Sequence, residues 1–154
     1  MQDNLTQFEK AKAYAFLLLK FRLRSENELY GRLKKKKFDE AVARKTVAFL
    51  KDKEFIDDNV FAKGWIRSRI KRSLGLRRIR DELKVKGVDP EVVEAKVDEI
   101  RPDYNENEIV RVIAENRFSK LKGVEPVVAK RRVYAYLMRR GFSQDAIMDA
   151  LKLK

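Results

Sequence analysis

The sequence predicts an all-α protein built as an elongated, curved tandem array of three three-helix repeats. Three observations support this fold class. Apolar residues recur with spacings of three, four and seven, which is the period of amphipathic helices. Only six Gly and three Pro interrupt 154 residues, so few segments are broken. The apolar pattern itself also repeats along the chain, which is the signature of a repeat architecture.

The repeat is visible as chemically matched residues at a constant shift. A first set recurs fifty residues later: Leu29, Leu33, Phe38, Asp39, Val42, Val47 and Leu50 match Ile79, Leu83, Val88, Asp89, Val92, Val97 and Ile100. A further shift of 54 residues gives a weaker third set: Val133, Leu137, Phe142, Ser143, Ala146 and Leu151. We therefore predict three repeats over residues 5–55, 56–101 and 102–154. A unit of this size is marginally stable alone, so neighbouring repeats are expected to stack.

Capping residues mark where the helices begin and end. Asp39, Asp89 and Ser143 stand at the N-cap position of the third helix of each repeat. Ser25 with Glu28, and Asn105 with Glu108, have capping-box spacing. Gly87 and Gly141 stand where a helix C-terminus favours a left-handed residue, whereas the first repeat has Lys37 there. The pattern thus predicts a less sharply terminated turn at Lys37.

Composition excludes most catalytic chemistry. The chain contains neither Cys nor His, which removes thiolate nucleophiles, imidazole bases and the usual zinc or iron ligands. No carboxylate pair has an apolar context that would raise its pKa, and the acidic segment 98–108 lacks calcium-loop spacing. A phosphate loop is absent as well. We therefore predict a non-enzymatic binding protein that needs no cofactor.

Hydropathy and targeting signals predict the compartment. No run reaches the roughly 18 apolar residues of a membrane span, and the first ten residues lack a signal-peptide core. The expected protein is soluble, cytoplasmic and monomeric, with no membrane partner.

Charge indicates what the protein binds. Lys and Arg number 37 against 24 Asp and Glu, so the net charge is +13. The charge is also segregated: residues 62–87 carry ten basic and two acidic residues, whereas residues 88–115 carry three basic and nine acidic residues. Such a basic concentration repels itself unless a partner neutralises it, so we expect a polyanionic partner.

The densest basic cluster surrounds Gly75. If one helix ends near Ser73 and the next starts near Gly75, basic side chains and free backbone amides would converge there on an anion. The candidate binding residues are Arg67, Arg69, Arg72, Arg77, Arg78, Lys84 and Lys86. Arg131 and Arg132 belong to a further cluster at the corresponding place in the third repeat. Pairing of some of these side chains with Asp81, Glu82 or the acidic segment 88–115 is the competing, structural interpretation.

Two other features support a structural interpretation as well as a functional one. Lys34–Lys37 lie at a helix C-terminus, where the helix dipole favours cations in any case. Aromatic residues such as Phe61 and Trp65 could stack on bases, but they fall largely on apolar helical stripes. Core packing is therefore the stronger interpretation for the aromatic residues.

Several stretches resemble the RecX family of bacterial regulators. These stretches are FIDDNVFAKGWIRSRI at 55–70, LGLRRIRDELKVKGVD at 74–89, RSENELYGRLKKKKFDEAV at 24–42 and RRVYAYLMRRGFSQDAIMDAL at 131–151. The resemblance covers nearly the whole chain. One departure is the turn Ser73-Leu74-Gly75-Leu76, where the family usually has a Gly-x-Gly-Pro-like sequence.

The resemblance implies a function and a partner. Members of that family are arrays of three-helix repeats that engage RecA recombinase filaments and damp recombination and the SOS coprotease activity. The expected partners are therefore the RecA filament and, without sequence preference, DNA. A stand-alone, sequence-independent DNA-binding protein is the alternative. Exchanging Arg72, Arg77 and Lys84 for Glu is expected to lower binding to the filament by orders of magnitude while leaving folding nearly unchanged.

Overall fold

A computed structural model of the chain describes residues 2–152, with side chains from residue 5 onward. Nine α-helices and one short 3₁₀ turn account for most of these residues. The helices are α1 (Gln2–Phe21), α2 (Glu26–Lys35), α3 (Glu40–Asp52), α4 (Asp58–Lys71), α5 (Leu76–Val85), α6 (Pro90–Ile100), α7 (Glu106–Ser119), α8 (Pro126–Arg139) and α9 (Gln144–Lys152). The 3₁₀ turn covers Arg101–Asp103.

The all-helical prediction is confirmed for the described residues, which contain no strand. Helices α1–α3, α4–α6 and α7–α9 follow the order of the three predicted repeats, although α1 begins at Gln2, before residue 5. Within residues 2–152, no helix is both long enough and apolar enough to cross a bilayer.

The chain forms two compact units, and their division runs through the middle repeat. The first unit extends as far as Gly64 and includes Leu83–Val93. The second unit contains Trp65–Glu82 and continues from Glu94 through α9. The helices of the middle repeat thus contribute residues to both units. We keep 5–55, 56–101 and 102–154 as the proposed sequence repeats.

Each unit has its own hydrophobic core, built from the apolar positions that repeat in the sequence. In the first unit, Leu29 and Leu50 are fully buried with Ala15, and Leu33 packs with Ala11 and Ala43. In the second unit, Leu137, Phe142 and Ile147 are fully buried among the helices α7–α9. Burial of such side chains contributes about 1.5–3 kcal/mol each, which makes these positions the main source of stability.

The predicted caps are largely confirmed. The Oγ of Ser25 accepts the N–H of Glu28 while the Glu28 carboxylate accepts the N–H of Ser25, a complete capping box. Asn105 accepts the N–H of Glu108 at 3.0 Å. The caps at Asp89 and Ser143 also accept backbone N–H groups, at 2.8 and 3.2 Å. Asp39 occupies the N-cap position of α3 without a side-chain cap bond.

The expectation of a looser turn at Lys37 is wrong. Lys37 has a φ of 76°, close to the 74° of Gly87 and the 92° of Gly141. The backbone bond from Phe38 N to Leu33 O, 3.2 Å, matches those of Val88 and Phe142 in the other repeats, at 3.1 and 3.3 Å. The hydrogen-bonding pattern and the packing of Phe38 therefore impose a left-handed conformation on a residue that carries a Cβ.

Replacing Lys37 with Gly is expected to raise the free energy of unfolding by about 1 kcal/mol, because glycine adopts positive φ without the steric cost of a side chain. Urea-induced unfolding followed by circular dichroism measures this change. The matched control is Lys35→Gly at the last residue of α2, which should lower stability because glycine is unfavourable in helical conformation. A Lys37→Gly variant less stable than the natural chain would contradict this account of the turn.

The capping box of α2 also belongs to a half-buried charge network in the first unit. Glu28 receives hydrogen bonds from the side chain of Arg22 and from Lys86 Nζ at 3.0 Å. Ser25 Oγ donates to the carbonyl of Lys86 at 2.7 Å. Burial acts to raise the pKa of Glu28, but the bonds from Arg22, Lys86 and the Ser25 backbone outweigh it and lower the pKa to about 2.

Glu28→Gln should destabilise the protein by on the order of 3 kcal/mol at neutral pH, because a pKa that is lower in the folded state stabilises folding whenever the carboxyl is ionised. This contribution is complete above the ordinary pKa of 4.5 and is lost as the pH falls towards 2. Urea unfolding between pH 7 and pH 2 should thus show a shrinking difference between the two proteins. Glu40→Gln, on an exposed pair with Arg44, is the control and should change little. A pH-independent Glu28→Gln effect would contradict the network.

Candidate polyanion-binding surface

The loop between α4 and α5 differs in its backbone from the expected anion site. It does bring together the predicted residues Arg72, Gly75 and Arg77, since α4 ends at Lys71 and α5 begins at Leu76. However, the backbone N–H of Gly75 donates to Arg140 O at 2.7 Å, and that of Arg77 donates to Gly141 O at 3.2 Å. Both amides thus donate to protein carbonyls, and the prediction that they are free to bind an anion is wrong.

The same loop is held against the end of α8 by arginine side chains. Arg140 donates from Nε to Ser73 O at 3.0 Å and from Nη2 to Arg72 O. Arg77 donates from Nη2 to Met138 O. A Cβ on Gly75 would lie 2.2 Å from the backbone of Gly141, so the two chain segments touch directly. This contact joins the second and third repeats inside the second unit.

Arg77 therefore has a structural as well as an electrostatic role. Its side chain is exposed, yet it provides a hydrogen bond to a backbone carbonyl 61 residues away. We therefore expect Arg77→Glu to lower stability, because a carboxylate cannot donate to the Met138 carbonyl.

Arg69 is fixed by an internal cluster on the second unit. Its Nε lies 2.9 Å from Glu82 Oε2 and its guanidinium lies 4.4 Å from the centre of the Trp65 ring. Trp65 Nε1 donates to the same carboxylate oxygen at 3.3 Å. Arg78 makes a looser pair with Glu82 at 3.6 Å. The competing interpretation of structural pairing thus holds for Arg69, and in part for Arg78.

The remaining predicted binding residues are either half-buried or exposed. Lys86 is half-buried and belongs to the Glu28 network of the first unit. Five exposed side chains make no ion pair with any described residue: Arg67, Arg72, Lys84, Arg131 and Arg132. Lys84 lies in the first unit and the other four lie in the second. These exposed cations are available to an anionic partner without breaking a native contact.

The aromatic residues support the packing interpretation. Phe61 is only 3% exposed and belongs to the buried set, and Trp65 is half-buried in the Arg69 cluster. Sequence reasoning missed the structural role of Arg140, whose side chain bonds to the backbone of the loop between α4 and α5. The sequence signal for this contact was a glycine in each of the two repeats, Gly75 and Gly141, because a close approach of two backbones requires glycine.

The acidic side chains of the described residues bear on the predictions about metal ligands and about carboxylate pKa values. No group of three or more acidic side chains could hold a metal there. Burial raises the pKa of a single carboxyl, Asp58, whereas the sequence prediction concerned pairs of carboxylates. Asp58 accepts the N–H of Glu26 at 2.9 Å at the start of α2 and thus has a capping role.

Comparison with protein families gives three consecutive matches. The models of the first, second and third three-helix domains of RecX match residues 11–50, 57–96 and 105–151. Each matched segment lies inside one of the repeats proposed from the sequence.

Individual relatives extend over nearly the whole chain. The regulatory protein RecX of Mycobacterium sp. (strain KMS) is 33% identical over 150 residues, which cover 95% of this chain and 82% of the relative. The regulatory protein RecX of Caldanaerobacter subterraneus subsp. tengcongensis is 29% identical, with coverage of 97% and 73%.

Two solved structures share the fold. The crystal structure of RecX from Lactobacillus salivarius has a TM-score of 0.81 at 20% identity and covers 97% of both chains. A second crystal structure of a regulatory protein RecX has a TM-score of 0.84 at 21% identity, covering 96% of this chain and 74% of the other. At these identities the likeness concerns the arrangement of helices.

Proposed function

The chain belongs to the RecX family, and from this premise we propose that it regulates the RecA recombinase by binding the RecA–DNA filament. Binding would limit the recombination and coprotease activities of the filament and so damp the SOS response. The observation that carries the proposal is the match of all three RecX domain models, in order, to this chain.

The charge and its placement support a filament as the partner. The net charge of +13 suits a surface made of DNA phosphates and acidic protein side chains. Arg67, Arg72, Arg131 and Arg132 are exposed and unpaired among the described residues of the second unit. Exposed cations that are free of internal partners can neutralise phosphates without a cost in folding energy.

We propose that the protein acts by binding rather than by catalysis. The relatives are named as regulatory proteins, and the chain lacks the Cys and His residues that most catalytic sites use. Control by binding requires only that the chain favours one state of its partner over another.

Pull-down of recombinase from lysate with the immobilised chain, with and without nuclease, tests the proposal. We expect the recombinase to be retained after nuclease treatment, because part of the contact is between proteins. Complete loss after nuclease treatment would favour the alternative of a stand-alone DNA-binding protein. Binding to DNA alone should in either case be independent of sequence and fall steeply as salt rises, because bound cations release counterions from the phosphates.

A further inference from the structure

The residue that follows the second helix is a cation in all three repeats. The sequence shifts of 50 and 54 residues align Lys36 with Lys86 and Arg140. Lys86 Nζ donates to Glu28 at 3.0 Å, inside the first compact unit. Arg140 Nε donates to Ser73 O at 3.0 Å, inside the second unit. Each of these two cations thus bonds to the repeat that precedes its own.

Lys36 has no such partner among the described residues. Its Nζ lies 5.4 Å from the centre of the Tyr14 ring on α1. The Lys36 side chain is exposed and makes no ion pair with any residue of 5–152. Tyr14 is half-buried and packs against Phe38. The position that joins repeats elsewhere in the chain therefore carries a cation without an internal counter-charge in the first repeat.

Arg24 is a second cation beside the same tyrosine. Its Nε is buried and has no hydrogen-bond acceptor among the described residues. Burial lowers the pKa of Arg24, and repulsion from Arg22 and Arg32 lowers it further, while Tyr14 acts in the opposite direction. A buried N–H without an acceptor costs free energy of folding, and it is an expected feature of a site whose acceptor comes from a ligand.

The carboxylate that faces Arg24 is already engaged elsewhere. Glu28 acts to raise the pKa of Arg24, but both of its oxygens have other partners. Oε1 accepts from Arg22 and from a backbone N–H, and Oε2 accepts from Arg22 and Lys86. Glu28 also precedes Arg32 by one turn of α2 without forming an ion pair with it. Neither Arg24 nor Arg32 is therefore neutralised by a described residue.

Arg24, Arg32 and Lys36 together form what we call the first-repeat cation cluster. Arg32 and Lys36 are exposed and lie one turn apart at the end of α2, and Arg24 is close enough to Arg32 to be repelled by it. All three belong to the first compact unit. The helix dipole favours cations in the last turn of α2, but it does not account for Arg24, which precedes the helix. Mutual repulsion of this kind is relieved by a bound anion.

The surroundings of the cluster favour an anion that binds through charge alone. The neighbouring exposed side chains are Lys35 and Lys37, while the aromatic side chains of Tyr14 and Phe38 are half-buried. A protein partner usually binds through an aromatic or aliphatic anchor in a desolvated pocket, and an exposed lysine surface does not receive one. Phosphate groups bind guanidinium and ammonium groups through charged hydrogen bonds and need no apolar contact.

We propose that Arg24, Arg32 and Lys36 form a phosphate-binding site on the first repeat. A phosphate oxygen accepts the buried Nε–H of Arg24, and Arg32 and Lys36 neutralise the negative charge. The phosphate belongs to a nucleic-acid backbone or to a free polyphosphate, which share this chemistry and which the test separates. This site is distinct from the exposed arginines of the second unit, and its ligand binds in the absence of recombinase.

The test follows the Nε–Hε signal of Arg24 by NMR in the full chain, labelled with ¹⁵N-arginine and without recombinase. Arg24→Lys removes this signal and so identifies it. The probes are sodium tripolyphosphate and a single-stranded thymidine oligonucleotide, each titrated at constant ionic strength. We expect a saturable shift of the Arg24 signal, and the probe that saturates it at the lower phosphate concentration identifies the source of the phosphate.

Two double variants separate the cluster from bulk charge. Arg32→Gln with Lys36→Gln should weaken the binding reported by the Arg24 signal by about tenfold or more, because two of the three charges are lost. Lys20→Gln with Lys53→Gln removes two exposed charges of the same unit and should change the affinity by less than about twofold, because distant exposed charges are screened. All four side chains are exposed, so both variants should keep the helical circular dichroism spectrum.

Four results would overturn the proposal. These are an Arg24 signal that exchanges with water as fast as those of exposed arginines, no saturable shift with either phosphate probe, equal weakening by the two double variants, and a glutamate-rich peptide that shifts the Arg24 signal at the same concentration as the phosphate probes. Because no recombinase is present, failure of the proposed filament binding would leave each of these results unchanged.

Discussion

Exchanging Arg67, Arg72 and Arg132 for Glu should lower the affinity for the RecA–DNA filament by about a hundredfold or more. All three side chains are exposed and free of ion pairs with described residues, so reversal turns attraction into repulsion without breaking an internal contact. Thermal stability should stay within about 1 kcal/mol of that of the natural chain, because exposed charges contribute little to folding. Co-sedimentation with filaments measures the affinity.

The control for this variant separates position from bulk charge. Exchanging Lys20, Lys53 and Lys122, which are exposed and lie outside the predicted set, also takes the net charge from +13 to +7, since each reversal removes two charges. This control should retain most of the filament binding. Equal losses in the two triple variants would show that net charge, rather than the arginine surface, controls binding.

Gly75→Ala should destabilise the protein by about 3 kcal/mol. The added Cβ would lie 2.2 Å from the C and O atoms of Gly141 and 2.5 Å from Phe142 N. These are backbone atoms that cannot rotate away, so the loop and the end of α8 must separate. Separation would also weaken the bonds of Gly75 N to Arg140 O and of Arg140 to Ser73 O.

Gly31→Ala provides the matched control for Gly75→Ala. Gly31 lies inside α2, and an added Cβ would meet no atom within 4 Å. The substitution should therefore stabilise the protein by about 0.5–1 kcal/mol, because alanine favours the helix and glycine does not. Urea unfolding measures both variants, and a Gly75→Ala variant as stable as Gly31→Ala would contradict the contact at Gly141.

The helices and most caps could be predicted because their signals are local. Apolar spacing identifies a buried face, and Ser25 with Glu28 forms a capping box within four residues. The left-handed Lys37 could not be predicted from its own residue type. The hydrogen-bonding pattern of the turn and the packing of Phe38 decide the conformation of Lys37.

The binding surface was harder to predict because internal partners lie far away in sequence. Arg77 contacts Met138 and Arg140 contacts Ser73, at separations of 61 and 67 residues. No local pattern distinguishes these arginines from Arg67 or Arg72, since all are long cations on or beside basic helices. The sequence therefore indicates the region and sign of the charge, while tertiary packing decides which side chains remain free.

RecA-driven strand exchange, measured as the chain is titrated against a fixed amount of filament, tests the proposed regulation most directly. We predict that product formation falls progressively as the natural chain is added, and that the Arg67, Arg72 and Arg132 triple variant needs at least about a hundredfold higher concentration for the same effect. Strand exchange that stays constant or increases over the range in which the natural chain binds filaments would contradict the proposal that this protein limits RecA.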